Sequence, residues 1–219
     1  SIGLRNQRSC VRIASGPPVL KGIKMAIEGW FQTPTYYEFL HGAELTKVQA
    51  EINDTLSSIE FSKHKAWGET NHSLSDPTFK TNYLDKYKLS FTKKLFIQHV
   101  KQYLSVFKNE KYTVKIENSW LTSTNRGEHT TVHNHGGFDI SGVYYFQTNK
   151  NDGSLYLMNP ITSLVSSHYF APDECIYYHP EVGKLVLFPS WIYHGVRPND
   201  TDDTRISLSF NAKISFQNG

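Results

Sequence analysis

Two histidines one residue apart, His133 and His135, are followed far downstream by His194 and then by Arg205, all in strand-like sequence. Side chains at i and i+2 of a β-strand point to the same face, so His133 and His135 can reach one ion together. A third ligand from a distant strand, His194, would close one facet of the metal and leave the opposite positions open for small molecules. His129 would share that strand face, and three imidazoles on one face are expensive to bury unless a metal organises them. Arg205 stands in the strand-like run RISLSFN, where a buried guanidinium without a partner is strongly destabilising. It therefore needs a carboxylate, supplied either by a bound anion or by one of the 20 acidic residues of the chain.

The elements that must position these residues fall into two halves. From about Leu45 to Ser62, Leu45, Val48, Ile52, Leu56 and Ile59 recur at helical spacing, and a second helix is expected from about Phe91 to Phe107, with Ser90 or Thr92 near its cap. Ahead of the first helix, AIEGWFQTPTYYEFL is aromatic and β-prone and reads as an edge strand broken by Pro34. Residues 63–89 are polar and turn-rich, the pattern of a long functional or covering loop. Beyond Lys111 come short β runs bounded by Gly, Pro, Asn or Asp, among them YTVKIENSWLTS, ISGVYYFQ, SSHYFA, GKLVLFP and TRISLSFNAKI. The expected fold is mainly β: a jelly roll, or double-stranded β-helix, of two antiparallel sheets with two N-terminal supporting α-helices packed outside.

Bulk properties narrow the setting. At 219 residues the chain reads as one domain over residues 25–219, with its β core at about 112–213, preceded by an extension over residues 1–24 and a native start at Met25. That extension holds five basic residues and no acid, leaving 18 of the 23 basic residues against all 20 acidic ones, so the body carries no basic surface for nucleic acid. Cys10 and Cys175 form no disulfide framework, which points to a reducing, cytoplasmic compartment. No apolar run is long enough to span a membrane. The edge strand near residues 29–40 offers a site for a second copy of the chain to pair, so a homodimer is a candidate assembly.

Taken together, WLTSTNRGEHTTVHNHGGFDISGVYYF and GKLVLFPSWIYHGVRPNDTDDTRISLSFN resemble the 2-oxoglutarate/Fe(II)-dependent oxygenases, in particular a prolyl-hydroxylase-like group common in bacteria and their phages. The resemblance covers roughly residues 112–212, and the linked pair of motifs is specific in a way that neither half is. It implies Fe(II), 2-oxoglutarate as co-substrate and O2, with His133 and His194 as the two histidine ligands. Arg205 would pair with the distal carboxylate of 2-oxoglutarate, with Tyr145 placed on the same carboxylate and Ser207 adding a hydrogen bond. Tyr144 would point to the core. Most members of the superfamily carry HxD, whereas here His135 stands in the aspartate's place. Strand geometry favours His135 as third ligand, and Asp139, folding back from the GGF turn, is the alternative.

The implied activity is hydroxylation of a C–H bond in a protein residue or small metabolite, with release of succinate and CO2. Trp120, Trp191 and Tyr193 are candidate pocket walls, and Asn118 and Arg126 candidate contacts for the primary substrate. His41, His64, His72, His99, His168 and His179 have no convincing partners in the sequence and are read as structural. A second reading is a cupin-type metal enzyme or metal-binding module that does not use 2-oxoglutarate. Arg205 and Tyr145 discriminate the two, since a cupin has no need of a carboxylate anchor there.

Overall fold

The computed structural model describes residues 33–106, 112–161 and 174–216. The extension 1–24, the start at Met25, Cys10, Phe107, His168 and the run SSHYFA all lie outside the described residues. The element order is β1 (Tyr36–Phe39), α1 (Gly42–Leu56), β2 (Ser62–Lys63), β3 (Ser73–Leu74), α2 (Tyr83–Lys86), α3 (Ser90–Leu104), β4 (Tyr112–Thr124), β5 (Thr130–His133), β6 (Ile140–Gln147), β7 (Leu155–Met158), β8 (Cys175–Tyr178), β9 (Lys184–Pro189), β10 (His194–Val196) and β11 (Arg205–Phe216). They form a seven-stranded sheet, ordered β1-β9-β6-β11-β4-β3-β2, and a four-stranded sheet, ordered β5-β10-β7-β8. All named strand pairs are antiparallel. No helix among the described residues is long and apolar enough to cross a membrane.

Period-two alternation sorts the large sheet into two faces. Tyr144, Phe146, Leu185, Leu187, Leu208 and Phe210 point toward the helices and build the main core, where Val48, Ile52, Phe96 and Val100 meet them. The residues between them, such as Val186, Phe188 and Tyr145, point toward the small sheet and form a second apolar cluster with Leu155 and Leu157. β9 is buried on both faces, which is why its sequence, KLVLFP, lacks alternation. Tyr144 sits in the core as expected, its hydroxyl accepting a hydrogen bond from Gln49 Nε2 at 3.1 Å. Gly142 lets Phe210 pack flat on the sheet, since a Cβ there would lie 2.3 Å from the ring.

Both helices are shorter than their apolar spacing suggests. α1 stops at Leu56 because Ser58 turns back, its N–H and hydroxyl both donating to the Thr55 carbonyl at 3.0 and 2.7 Å. Ile59 nonetheless packs on the core from outside the helix, so the periodicity outruns the hydrogen bonding. α3 takes no cap from Ser90 or Thr92; its N-cap residue is Leu89, with no side-chain cap bond. Glu51 of α1 supplies it instead, accepting from Phe91 N–H at 3.0 Å, Thr92 N–H at 2.8 Å and the Thr92 hydroxyl at 2.7 Å.

The 63–89 segment is not featureless. β2 and β3 extend the large sheet beside β4, and Lys63 Nζ ties the segment down through the carbonyls of Glu69 and Asn71 and the Glu128 carboxylate, each at 2.6 Å. Among the described residues β1 lies at the sheet's opposite edge, pairing only with β9. Because one carboxylate both caps α3 and locks it to α1, Glu51→Ala should cost about 1–2 kcal/mol of stability. The midpoint of urea unfolding reads this directly, and an unchanged midpoint would show that the helix needs no cap from α1.

Candidate functional site

The inward face of the large sheet and the facing small sheet enclose a cavity of about 460 Å³. Its floor is laid by Arg205 and by cross-strand rows: Thr122 with Ser207 and Tyr145, Trp120 with Ser209 and Val143, and Asn118 with Asn211 and Ser141. The antiparallel register fixes these rows, so residues distant in the chain share one surface.

His133, His135 and His194 converge over this floor, with one ring nitrogen from each lying within 4.8 Å of the others. Their ring centroids are 4.3 to 5.1 Å apart. His133 and His194 are paired directly across β5 and β10. His135 arrives differently from the strand-face expectation. β5 ends at His133, and His135 sits in the turn beyond it, anchored by its backbone N–H to the Ser190 carbonyl at 2.9 Å. The Nδ1 of His133 donates to the Thr131 carbonyl at 2.8 Å, and that of His194 to the Ile192 carbonyl at 2.9 Å. A carbonyl can only accept, so Nδ1 carries the proton and each Nε2 keeps a free lone pair. No hydrogen bond holds the His135 ring among the described residues; Trp120 lies against it at 5.9 Å.

Other expected residues are placed elsewhere. His129 does not join the cluster; its carbonyl accepts the His72 N–H at 3.1 Å. Asp139, the alternative third ligand, is exposed and turned away, its carboxylate accepting the Ile214 N–H at 2.7 Å. Trp191 and Tyr193 are 53% and 56% exposed and do not line the cavity. Arg126 is likewise on the surface, paired with Asp202. Trp120 and Asn118 do line the cavity.

Arg205 is 2% exposed. Its Nη1 donates to the carbonyls of Asp152 and Gly153, both at 2.6 Å, and its Nη2 to the Thr124 hydroxyl at 3.0 Å. Gly153 presents its carbonyl from a left-handed conformation, φ +96°, where a Cβ would lie 2.2 Å from the Arg197 carbonyl oxygen. The nearby Asp152 carboxylate is consumed by its own turn, accepting from the Thr148 hydroxyl and the Asn149 N–H. Among the described residues Arg205 has no ion pair. The bound-anion alternative for this arginine therefore stays open, and the structural ion pair is not found. Burial pushes the Tyr145 phenol up to about 12, so it remains a hydrogen-bond donor beside the guanidinium.

The 63–89 segment contributes what the sequence left unread. Trp67, Asn71, His72 and Phe79 line the cavity. His72 is structural in part, its Nδ1 lying 2.9 Å from the Thr130 hydroxyl, but it also forms cavity wall. Aromatic residues inside an otherwise polar loop were the available signal.

Residues 118–211 match the family described as "Putative 2OG-Fe(II) oxygenase". The β core of this chain is thus similar in sequence to the 2OG-Fe(II) oxygenases. The same fold recurs in a prolyl hydroxylase from Trichoplax adhaerens in complex with a hypoxia inducible factor peptide fragment, at 15% identity and TM-score 0.58, covering 82% of this chain and 83% of that one. It recurs in HygX from Streptomyces hygroscopicus with nickel and 2-oxoglutarate bound, at 11% identity and TM-score 0.58, covering 83% of each chain. A prolyl-4-hydroxylase from Pseudomonas putida is similar at 15% identity and TM-score 0.50, over 83% of this chain and 93% of that one. Comparison with curated protein sequences gives no match.

Burial and the neighbouring imidazoles pull His135 and His194 from 6.5 to about 3. Burial also lowers His133, and takes His72 to about 4. In the unfolded chain these groups bind protons near 6.5, whereas the folded protein resists protonation until the pH is much lower. Their contribution to stability is therefore complete above pH 6.5 and is lost as the pH falls toward the folded values. The metal-free protein should lose stability between pH 6.5 and 4, and His135→Gln should flatten that loss by up to about one proton in slope. Superimposable profiles of urea midpoint against pH would contradict the assignment.

Proposed function

We propose that the protein is a 2-oxoglutarate- and Fe(II)-dependent dioxygenase that hydroxylates a C–H bond of a protein residue or small metabolite, releasing succinate and CO2. The observation that carries this reading is the coexistence, in one cavity, of a convergent three-imidazole cluster and a buried guanidinium with no carboxylate partner among the described residues.

The donor set fits the metal. Three imidazoles held neutral by burial offer three nitrogen donors to one point, a set that suits first-row divalent ions. Iron, when bound, supplies open positions for 2-oxoglutarate and O2 and the oxidising power of the reaction. The protein's residues do the rest. His133 and His194 present Nε2 from rings whose tilt is fixed by the Thr131 and Ile192 carbonyls, and His135 completes the facet from its turn. Arg205 holds the far carboxylate of 2-oxoglutarate, with Tyr145 and Ser207 as neighbouring hydrogen-bond donors on the same floor. Trp67, Phe79 and Trp120 wall the cavity against water.

The expected stoichiometry is one 2-oxoglutarate and one O2 consumed per succinate, CO2 and hydroxylated product. In the absence of the primary substrate, iron-reconstituted protein should release succinate slowly. Arg205→Ala should reduce that release at least about a hundredfold, through lost charge-assisted hydrogen bonds, and His135→Ala should abolish it through lost metal. Succinate assayed by mass spectrometry decides this. Iron retention without 2-oxoglutarate binding or turnover would favour the cupin-type reading and leave Arg205 as a structural residue.

A further inference from the structure

Among the described residues lining the cavity, His72 is the one imidazole outside the metal cluster. It is buried, and its Nδ1 lies 2.9 Å from the Thr130 hydroxyl and 3.3 Å from the His129 carbonyl. That carbonyl already accepts the His72 backbone N–H at 3.1 Å, whereas the Thr130 hydroxyl has no other hydrogen bond among the described residues. The hydroxyl therefore donates to Nδ1, and the ring proton sits on Nε2. Nε2 makes no hydrogen bond among the described residues, and it is not sealed from solvent as the side-chain amide of the adjacent Asn71 is. A buried side chain thus opens an N–H donor on the cavity with the partner for it missing, and such a donor marks where a ligand is bonded.

Strand register fixes which ligand atoms that donor meets. Ser73 pairs with Ser123 and Leu74 with Thr122 across β3 and β4, so one residue further His72 comes beside Thr124, the cross-strand partner of Arg205. The Arg205 guanidinium and the His133 ring are both near enough to act electrostatically on the His72 ring. The imidazole therefore flanks the span between Arg205 and the metal cluster. Arg205 has already committed three hydrogen bonds to Asp152, Gly153 and Thr124, and a carboxylate offers about four acceptor sites, more than one guanidinium edge fills. Burial holds the His72 ring neutral, so it donates without adding to the positive charge that a divalent ion and Arg205 leave over a dianionic co-substrate.

Resting on the oxygenase reading above, we propose that His72 is a further co-substrate-binding residue: its Nε2–H donates to the far carboxylate of 2-oxoglutarate beside Arg205, and Thr130 fixes the tautomer that makes this possible. Recognition of that carboxylate is thereby tied to the 63–89 segment, which carries His72, and to β5, which carries Thr130 and His133. A 2-oxo acid without a far carboxylate has nothing for His72 to bind.

Binding decides this without turnover. The full chain, loaded with Fe(II) under anaerobic conditions, is titrated with 2-oxoglutarate and, by displacement, with 2-oxobutyrate, which has the same 2-oxo acid end and no far carboxylate. His72→Leu should weaken 2-oxoglutarate about tenfold and leave 2-oxobutyrate within about twofold of the wild type. Thr130→Val, nearly isosteric, should weaken 2-oxoglutarate alone, because Nδ1 then takes the proton for the His129 carbonyl and Nε2 turns into an acceptor. His72→Gln, which restores an amide donor, should recover most of the affinity. Iron affinity, unchanged in these variants, certifies that the cluster survives. If His72→Leu does not fold, Thr130→Val carries the same comparison. Equal loss for both ligands would mark His72 as a structural residue, and no loss for 2-oxoglutarate would leave it as cavity wall; either result overturns the proposal. Wild-type protein that binds iron but not 2-oxoglutarate defeats the oxygenase reading and the proposal together, whereas wild-type binding untouched by His72→Leu defeats the proposal alone.

Discussion

A guanidinium sealed between two sheets with no carboxylate in contact among the described residues, the buried Asp152 acting on it only at longer range, is the constraint around which the rest of this structure is organised. Arg205 makes three hydrogen bonds, all to neutral acceptors, and these orient the group without cancelling its charge. Burying a cation this way is destabilising, and the residues that tolerate it are specific. Gly153 must take a conformation open to glycine to aim its carbonyl, and Asp152 must spend its carboxylate on its own turn rather than on the arginine. Each of these choices leaves the guanidinium without a contacting carboxylate among the described residues.

The histidine cluster is the complementary half. Three imidazoles within 4.8 Å of one another could not all be protonated beside a buried arginine, and burial keeps them neutral. Neutral imidazoles carry lone pairs that only a metal can use at once. A divalent ion at the cluster adds two positive charges to a cavity that already holds one cation, and a dianionic co-substrate reaching from the ion to Arg205 offsets two of the three. Substituting His135 for a carboxylate removes one negative charge from the ligand set and makes that offset depend more heavily on the co-substrate. His135 also lacks the carbonyl tether that fixes the other two rings, consistent with its place in a turn rather than a strand.

Much of this was legible in the sequence because strand alternation is a local rule. His133, Arg205, Tyr145 and Ser207 fall on inward strand positions that period two identifies, whereas His135 reaches the cluster from the turn after β5, and the family resemblance suggested their roles. What escaped was set by contacts that leave no periodic trace. The 63–89 segment covers the cavity because Lys63 reaches Glu128 and because Asn71 bridges His129, pairings no local pattern encodes. Trp191 and Tyr193 looked like walls because they flank His194, yet the tight turn after β9 sends them outward. The ends of both helices slipped for a related reason: Ser58 turns α1 back on itself, and the cap of α3 comes from Glu51 on a different helix.

The central claim is that Arg205 and the histidine cluster together make one site for a metal-bound dicarboxylate. Calorimetric titration of 2-oxoglutarate into the protein with and without Fe(II), under anaerobic conditions, in the wild type and in Arg205→Gln, tests that coupling most directly. The account predicts one equivalent bound with iron, much weaker binding without it, and affinity reduced at least about a hundredfold in Arg205→Gln, through loss of a charge-assisted pair. Binding that is indifferent to iron, or undiminished when the guanidinium is removed, would contradict it.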